Sequence, residues 1–97
     1  MPGWILESTD DTPIVLRIMA GSIRTIGRTA RADFIVDAPL ISRLHCRLTA
    51  DPSGQLVVED LGSTNGTLVN TERVDRRLLR GGDTLTVGRV EFRVREN

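Results

Sequence analysis

The sequence has no lysine, no tyrosine, one cysteine and one histidine. Cys46 has no second cysteine for an internal disulfide, and a single Cys with a single His is too small a ligand set for a zinc site. We therefore expect no metal, no cofactor and no disulfide. A lone thiol favours an intracellular, cytoplasmic location, where thiols stay reduced.

Aromatic residues are equally scarce, because Trp4, Phe34 and Phe92 are the only three. Three aromatic side chains are too few to stack against the successive bases of a single-stranded nucleic acid. Thirteen basic residues, all of them Arg, are balanced by thirteen acidic ones, for a formal net charge of zero. A nucleic-acid binder normally carries a basic excess, so we expect no nucleic-acid partner.

Long apolar runs are absent as well. No stretch approaches the roughly 20 apolar residues of a membrane span, and the first residues lack the basic and apolar segments of a signal peptide. The expectation is a soluble, unexported protein that does not bind membranes. Apolar residues at 39% and charged residues at 27% are ordinary for a globular protein. A length of 97 residues suits a single core and hence one domain, residues 1–97.

What the chain does contain is a series of short β-strand patterns separated by turn residues. Val90, Phe92 and Val94 alternate with charged residues, as in a strand with one buried face. No helical period is sustained, so about ten short strands predict an all-β sandwich. The sequence predicts a compact strand over residues 33–37. It predicts an Arg-rich connection with isolated apolar residues over residues 74–79.

The residues that could support catalysis are badly placed for it. His45 and Cys46 are neighbours, and on a strand their side chains would point to opposite faces. The glycine-rich stretch 62–66 lacks the Lys and the following helix of a P-loop. The acidic pair Glu59-Asp60 is typical of solvated carboxylates at a strand end. We therefore expect that the protein is not an enzyme.

Three polar motifs stand beside β-branched runs, and their side chains suit a phosphorylated ligand. They are Gly27-Arg28, Ser42-Arg43-Leu44-His45 and Ser63-Thr64-Asn65-Gly66-Thr67. Taken singly, each is explained by a solvated Arg, a hydroxyl that caps its own backbone, or a good Asn-Gly turn. A phosphate site needs a planar guanidinium, short hydroxyl donors and backbone N–H groups, and the three motifs together contain all of these.

The joint pattern, completed by Asn70, Gly82-Asp83 and Val87-Gly88, resembles a forkhead-associated (FHA) domain from Ile14 to Val94. The resemblance implies an FHA/SMAD-like β-sandwich of two twisted sheets and about eleven short strands, with peptide-binding loops at one end. It also implies residue roles. Phosphothreonine would be bound by Arg28, Ser42, Arg43 and Thr64. The peptide backbone would be held by Asn65, and the loops would be shaped by Gly27, His45, Gly66 and Asn70.

The resemblance therefore implies a non-catalytic signalling adaptor that binds a phosphothreonine-containing protein, and we expect a monomer. The alternative is an interaction or oligomerisation domain of the same fold that works without phosphate. One departure concerns the turn after residues 67–70, where the family often has Asn-Gly and this chain has Asn70-Thr71. That difference predicts another turn type for the hairpin.

Overall fold

The computed structural model describes residues 2–97, which form eleven β-strands and no helix. The part of the chain described thus has no helix that could cross a membrane. The strands are β1 (Gly3–Ser8), β2 (Val15–Met19), β3 (Ile23–Gly27), β4 (Phe34–Ile35), β5 (Cys46–Ala50), β6 (Leu56–Asp60), β7 (Thr67–Val69), β8 (Glu72–Val74), β9 (Arg76–Leu79), β10 (Thr84–Val87) and β11 (Val90–Glu96).

The strands form two sheets. The six-stranded sheet has the order β2-β1-β11-β10-β7-β8, and the five-stranded sheet has the order β4-β3-β5-β6-β9. The short β3–β4 pair is parallel, whereas the paired neighbours β1–β2, β1–β11, β10–β11 and β5–β6 are antiparallel. The predicted all-β sandwich is confirmed.

The core lies between the two sheets and is built from alternate residues of each strand. Leu6, Leu85 and Phe92 of the larger sheet and Leu48 and Leu56 of the smaller sheet have no exposed surface. Strand β2 alternates exposed and buried residues along its whole length, as expected for an edge strand with one face on the core. Burial of these apolar side chains is the main favourable contribution to folding.

Strand β1 extends the fold beyond the range from Ile14 to Val94 that carries the sequence resemblance. It lies inside the six-stranded sheet, between β2 and β11. Trp4 is 6% exposed, and its indole N–H donates to the carbonyl oxygen of Gly54 at 2.8 Å. The N-terminal segment is thus part of both the sheet and the core.

Two local expectations from the sequence were wrong. The strand predicted over residues 33–37 is reduced to Phe34–Ile35, because the Ala38 amide donates to the Val36 carbonyl oxygen and the chain turns there. The predicted connection over residues 74–79 contains strand β9, and Val74 ends β8. The alternation typical of a strand is not visible in its sequence, since each face of β9 carries one Arg and one Leu.

The turn between β7 and β8 also differs from the expectation. Asn70 and Thr71 have φ angles of 51° and 72°, so both residues of this two-residue loop are left-handed, as in a type I′ hairpin. The predicted change of turn type was therefore wrong. Residues around the start of β10 stabilise the turn. The Asn70 side chain accepts a hydrogen bond from the Thr84 amide and donates one to the Asp83 carboxylate, both at 2.9 Å.

Candidate functional site

An open cleft of about 800 Å³ lies at the end of the sandwich where β3 ends and β5 and β7 begin. Five of the residues selected from the sequence line it together: Arg28, Ser42, Arg43, Thr64 and Asn65. The rest of the lining comes from the loop between β4 and β5 and from Gly62: Asp37, Ala38, Pro39, Leu40, Ile41, Leu44 and Gly62. Residues 37–39 and Ile41 belong to no motif in the sequence, and reasoning from the sequence missed their part in the cleft.

Arg28 follows the last residue of β3 and is tied to the β4–β5 loop by two hydrogen bonds. Its amide donates to the Ser42 carbonyl, and its Nε–H donates to the Ile41 carbonyl, both at 3.0 Å. An arginine has five N–H donors, and within residues 2–97 the four on the two Nη atoms have no acceptor. The guanidinium group is therefore held in place with its outer end available to a ligand.

Ser42 and Thr64 are directly connected across the cleft. The Thr64 amide donates to Ser42 Oγ at 3.0 Å, so the serine oxygen acts as an acceptor here and its own O–H is available to donate elsewhere. The Ser42 amide is already occupied by His45 Nδ1 at 3.1 Å. Arg43 follows Ser42 in the sequence, and Asn65 follows Thr64. Within residues 2–97 the backbone amides of Arg43 and Asn65 have no hydrogen-bond acceptor.

His45 is completely buried and joins the two loops that form the cleft. Its Nδ1 accepts from the Ser42 amide, so Nδ1 carries no proton. Its Nε2 lies 2.8 Å from the Gly66 carbonyl oxygen and must donate. The ring is thus a neutral tautomer that links the β4–β5 loop to the loop before β7.

Gly27 lies directly beneath the backbone of the β4–β5 loop. A Cβ atom at this position would be 2.0 Å from the Arg43 carbonyl oxygen and 3.1 Å from the Ala32 side chain. Only glycine leaves room for this approach, which brings Arg28 and Ser42 into contact. Gly66, buried and at φ 88°, takes part through its backbone and does not line the cleft.

Asp60 organises the loop before β7, although its pairing with Glu59 in sequence suggested a solvated carboxylate. The carboxylate accepts from the amide and hydroxyl of Ser63 and from the Thr67 hydroxyl, and Ser63 Oγ accepts in turn from the Gly66 amide at 2.9 Å. Burial raises the pKa of the Asp60 carboxyl, but the hydrogen bonds from Ser63 and Thr67 outweigh it and leave the pKa below its usual value.

Asn65 connects the two sides of the cleft at its mouth. Its Nδ2 donates to the Leu40 carbonyl at 3.0 Å, and Oδ1 is left as an acceptor. Leu40 has a φ of 71° and is 44% exposed, which is unusual for a leucine. The turn between β10 and β11 supports this loop, with Gly88 packed directly against Ile41.

Asn70 is the one predicted loop-shaping residue that lies away from the cleft. It sits in the β7–β8 turn, one strand length from Gly66, and borders a separate small cavity. The charged residues of the cleft lining are Arg28, Arg43 and Asp37. The lining is therefore net positive, as a phosphate site requires. The described residues form no group of three possible metal ligands.

The fold and the cleft agree with a comparison against protein families, in which the FHA domain model matches residues 24–88. The chain belongs to the FHA family. Members of this family are non-catalytic, phosphothreonine-dependent binding modules. The predicted family is confirmed.

Similar proteins include several actinobacterial ones. The chain is 41% identical over 72 residues to the ABC transporter ATP-binding/permease protein Rv1747 of Mycobacterium tuberculosis, covering 74% of this chain and 8% of that protein. It is 38% identical over 63 residues to the glycogen accumulation regulator GarA of Mycolicibacterium smegmatis, covering 65% and 39%. This FHA domain thus spans less than half the length of either relative.

Solved structures show the same fold at 30% identity. One FHA domain, studied for phosphothreonine-dependent FHA domain interactions, superposes with a TM-score of 0.88 at 30% identity, covering 96% of this chain and 95% of that one. The FHA domain of FhaA, complexed with the intracellular domain of Rv3910, gives a TM-score of 0.87 at 30% identity, covering 95% and 99%. Both match over nearly the whole chain.

Proposed function

We propose that this FHA domain binds a phosphothreonine-containing segment of a partner protein in the cleft and acts as a non-catalytic signalling adaptor. One observation carries the proposal: Arg28, Ser42 and Thr64, which come from three separate motifs, meet in a single cleft and are joined by hydrogen bonds. The phosphothreonine dependence of the family supports the same ligand.

The donors of the cleft suit a phosphate group. Phosphothreonine carries about −1.5 to −2 charges near neutral pH and three strong acceptor oxygens. The free Nη groups of Arg28 can donate to two of these oxygens, and the Ser42 and Thr64 hydroxyls can donate to the remaining positions. Arg43 adds a second positive charge and a free amide at the rim. Since these groups are already held in place, binding costs little reorganisation.

Asn65 suits the main chain of the bound peptide. With Nδ2 tied to Leu40, its Oδ1 can accept a peptide N–H beside the phosphothreonine. The partner segment would therefore lie extended across the mouth of the cleft. We further propose that the domain acts as a monomer in the cytoplasm, either as an adaptor or as the recruiting part of a signalling protein. The free, buried thiol of Cys46 supports an intracellular setting.

The test is binding of a degenerate peptide library with a fixed phosphothreonine, followed by calorimetry with one selected peptide. We expect the Arg28→Ala variant to lose measurable binding while its thermal unfolding stays cooperative. Arg17→Ala is the matched control, because Arg17 is an exposed arginine on β2 and does not line the cleft. That variant should bind like the wild type.

Two results would contradict the proposal. One is equal affinity of the wild type for the selected peptide and for the same peptide without phosphate. This result would favour the alternative of a phosphate-independent interaction domain, which gel filtration would then examine for oligomers. The other is unchanged calorimetric binding by folded Arg28→Ala protein.

A further inference from the structure

Strand β2 lies at an edge of the six-stranded sheet, with β1 on one side and no strand on the other. The Ser8 amide donates to the carbonyl oxygen of Ile14, the residue directly opposite it, at 2.9 Å. Hydrogen-bonded and non-hydrogen-bonded pairs alternate along an antiparallel ladder. The amides and carbonyl groups of Val15, Arg17 and Met19 therefore point away from β1, towards the open edge.

Most of these outward-facing groups have no partner in the protein. Within residues 2–97, no hydrogen bond joins the amides of Val15, Arg17 and Met19, or the carbonyl oxygens of Val15 and Arg17, to another group. The Met19 carbonyl accepts from the Ser22 amide at 3.1 Å, and Pro13, the outward-facing residue before β2, has no amide. The free edge thus offers three N–H and two C=O groups over five residues, about 17 Å.

The other three edge strands are poorer templates for pairing. Strand β4 has two residues and β8 has three, and β9 begins with the charged residues Arg76 and Arg77. Short length and charge both protect an edge against added strands. Strand β2 has five residues, and its outer-face side chains Val15 and Met19 are 45% and 46% exposed. It combines unpaired backbone groups with apolar side chains, as in strands that accept a further strand.

The charge of Arg17 indicates which strand would fit. Arg17 is exposed and forms no ion pair within residues 2–97, because Glu7 on the neighbouring strand is paired with Arg95 at 3.5 Å. An added strand meets an apolar, a positive and an apolar position in turn, which an apolar–acidic–apolar pattern complements. A second copy of β2 fits poorly, since full antiparallel overlap sets Arg17 opposite its own counterpart and like charges there are destabilising.

We propose that the β2 edge binds an extended segment of a partner protein, antiparallel to β2, with Asp or Glu opposite Arg17 and apolar side chains opposite Val15 and Met19. Each opposing residue would exchange both backbone hydrogen bonds with β2, while the side chains set the register. This site goes beyond the proposed function, because none of the three residues lines the cleft and the pairing needs no phosphate.

The probe is the synthetic, unphosphorylated peptide Lys-Thr-Val-Thr-Glu-Thr-Val-Thr-Lys, in which valine, glutamate and valine occupy alternate positions. Amide hydrogen exchange of the wild-type protein is followed by NMR with and without the peptide. We expect slower exchange at the amides of Val15, Arg17 and Met19. The amides of Leu16 and Ile18 should change little, because they are already bonded to β1.

Two methylated peptides test the backbone pairing without altering the protein. In the antiparallel arrangement the glutamate amide faces β2, whereas the neighbouring threonine amide faces away. N-methylation of the glutamate should abolish the protection, and N-methylation of the threonine should retain it.

A charge exchange tests the choice of partner. Wild type should bind the glutamate peptide about two- to fivefold more tightly than a peptide with glutamine there, as for an exposed ion pair. Arg17→Glu should instead favour a peptide with lysine at this position. Arg73→Glu is the matched control, because Arg73 is an exposed arginine on β8, the opposite edge of the same sheet. That variant should keep the wild-type preference.

Three results would overturn the proposal. One is the absence of protection at the β2 amides at millimolar peptide, or protection at another edge strand instead. Another is equal binding of the two methylated peptides, which excludes the antiparallel pairing. The third is an unchanged glutamate preference in Arg17→Glu, which excludes the proposed partner chemistry. Phosphothreonine binding in the cleft is measured separately and is unaffected by any of these results.

Discussion

Asn70 and Thr71 hold a backbone conformation that side chains of L-residues rarely adopt. For a β-branched residue such as Thr71 the left-handed region is a true outlier, because Cβ crowds the following carbonyl oxygen. The hairpin accepts this cost because Val69 and Glu72 are fixed in register, and because Asn70 is bonded to Asp83 and Thr84. The conformation is imposed by neighbours far along the chain, so the identity of Thr71 could not predict it.

We expect Thr71→Gly to stabilise the protein by about 0.5–1 kcal/mol. Relief of the left-handed strain gains about 1–2 kcal/mol, from which the larger backbone entropy of unfolded glycine removes about 0.5–1. The free energy of unfolding in urea measures the change. Thr12→Gly is the control, since Thr12 has no left-handed φ and the same substitution there should not stabilise. A stability loss in Thr71→Gly would show that the threonine side chain makes a stronger contribution than its strain costs.

The cleft depends on how closely two elements approach, namely the end of β3 and the β4–β5 loop. Because Gly27 has no side chain, the Arg43 carbonyl group can pack directly against its Cα atom. This contact brings Arg28 next to Ser42. His45 links the loop before β7 to the β4–β5 loop, and Asp60 holds the loop before β7 in shape. At this scale stability and binding share the same contacts.

We expect Gly27→Ala to lower the free energy of unfolding by about 1–3 kcal/mol, as for overpacking, and to weaken phosphopeptide binding as well. The added Cβ meets backbone atoms, which cannot rotate away as a side chain could. Gly81→Ala provides the comparison, because a Cβ there has nothing within 4 Å. Urea unfolding and calorimetry on both variants measure the effects. Wild-type affinity in Gly27→Ala would mean that the loop can shift without disturbing the site.

The sequence predicted the parts of the site in which one residue type marks a special position. Gly27, the hydroxyl groups of Ser42 and Thr64, and the Asn65-Gly66 turn each belong to a motif at a strand end. The roles of residues 37–39, Ile41 and Asp60 were missed, because these roles arise from contacts that no local motif marks. Strand β9 was missed for a related reason: Arg76 and Arg77 conceal its short apolar pattern, and its pairing with β6 is long-range.

At the scale of the whole molecule, packing of the core between the two sheets determines which side chains are accessible to solvent. Cys46 lies on β5 with no exposed surface. Burial raises the pKa of its thiol to about 12, and the nearby Asp60 carboxylate acts in the same direction, against a smaller opposing effect of the Thr67 hydroxyl group. The reactive thiolate is therefore almost absent in the folded state at neutral pH.

We expect the folded protein at pH 8 not to react with a disulfide reagent such as DTNB, and to release one equivalent of chromophore once unfolded in urea. Reaction and unfolding should show the same urea midpoint, because the thiol becomes accessible only when the sheets separate. The reaction of the thiol can be compared with that in the Thr67→Val variant, which lacks the hydroxyl group near the thiol. Rapid labelling of the wild type without denaturant would show that this part of the core opens locally.

Strands β1 and β11 lie side by side and antiparallel, with Trp4 opposite Glu96. Strand β11 starts next to the Gly88 turn, which touches the cleft loop, and its seven residues carry the chain roughly 20 Å away from it. The start of β1 and the end of β11 therefore lie on the side of the domain facing away from the cleft. A neighbouring domain, an affinity tag or a solid support attached at either strand would leave the mouth of the cleft unobstructed.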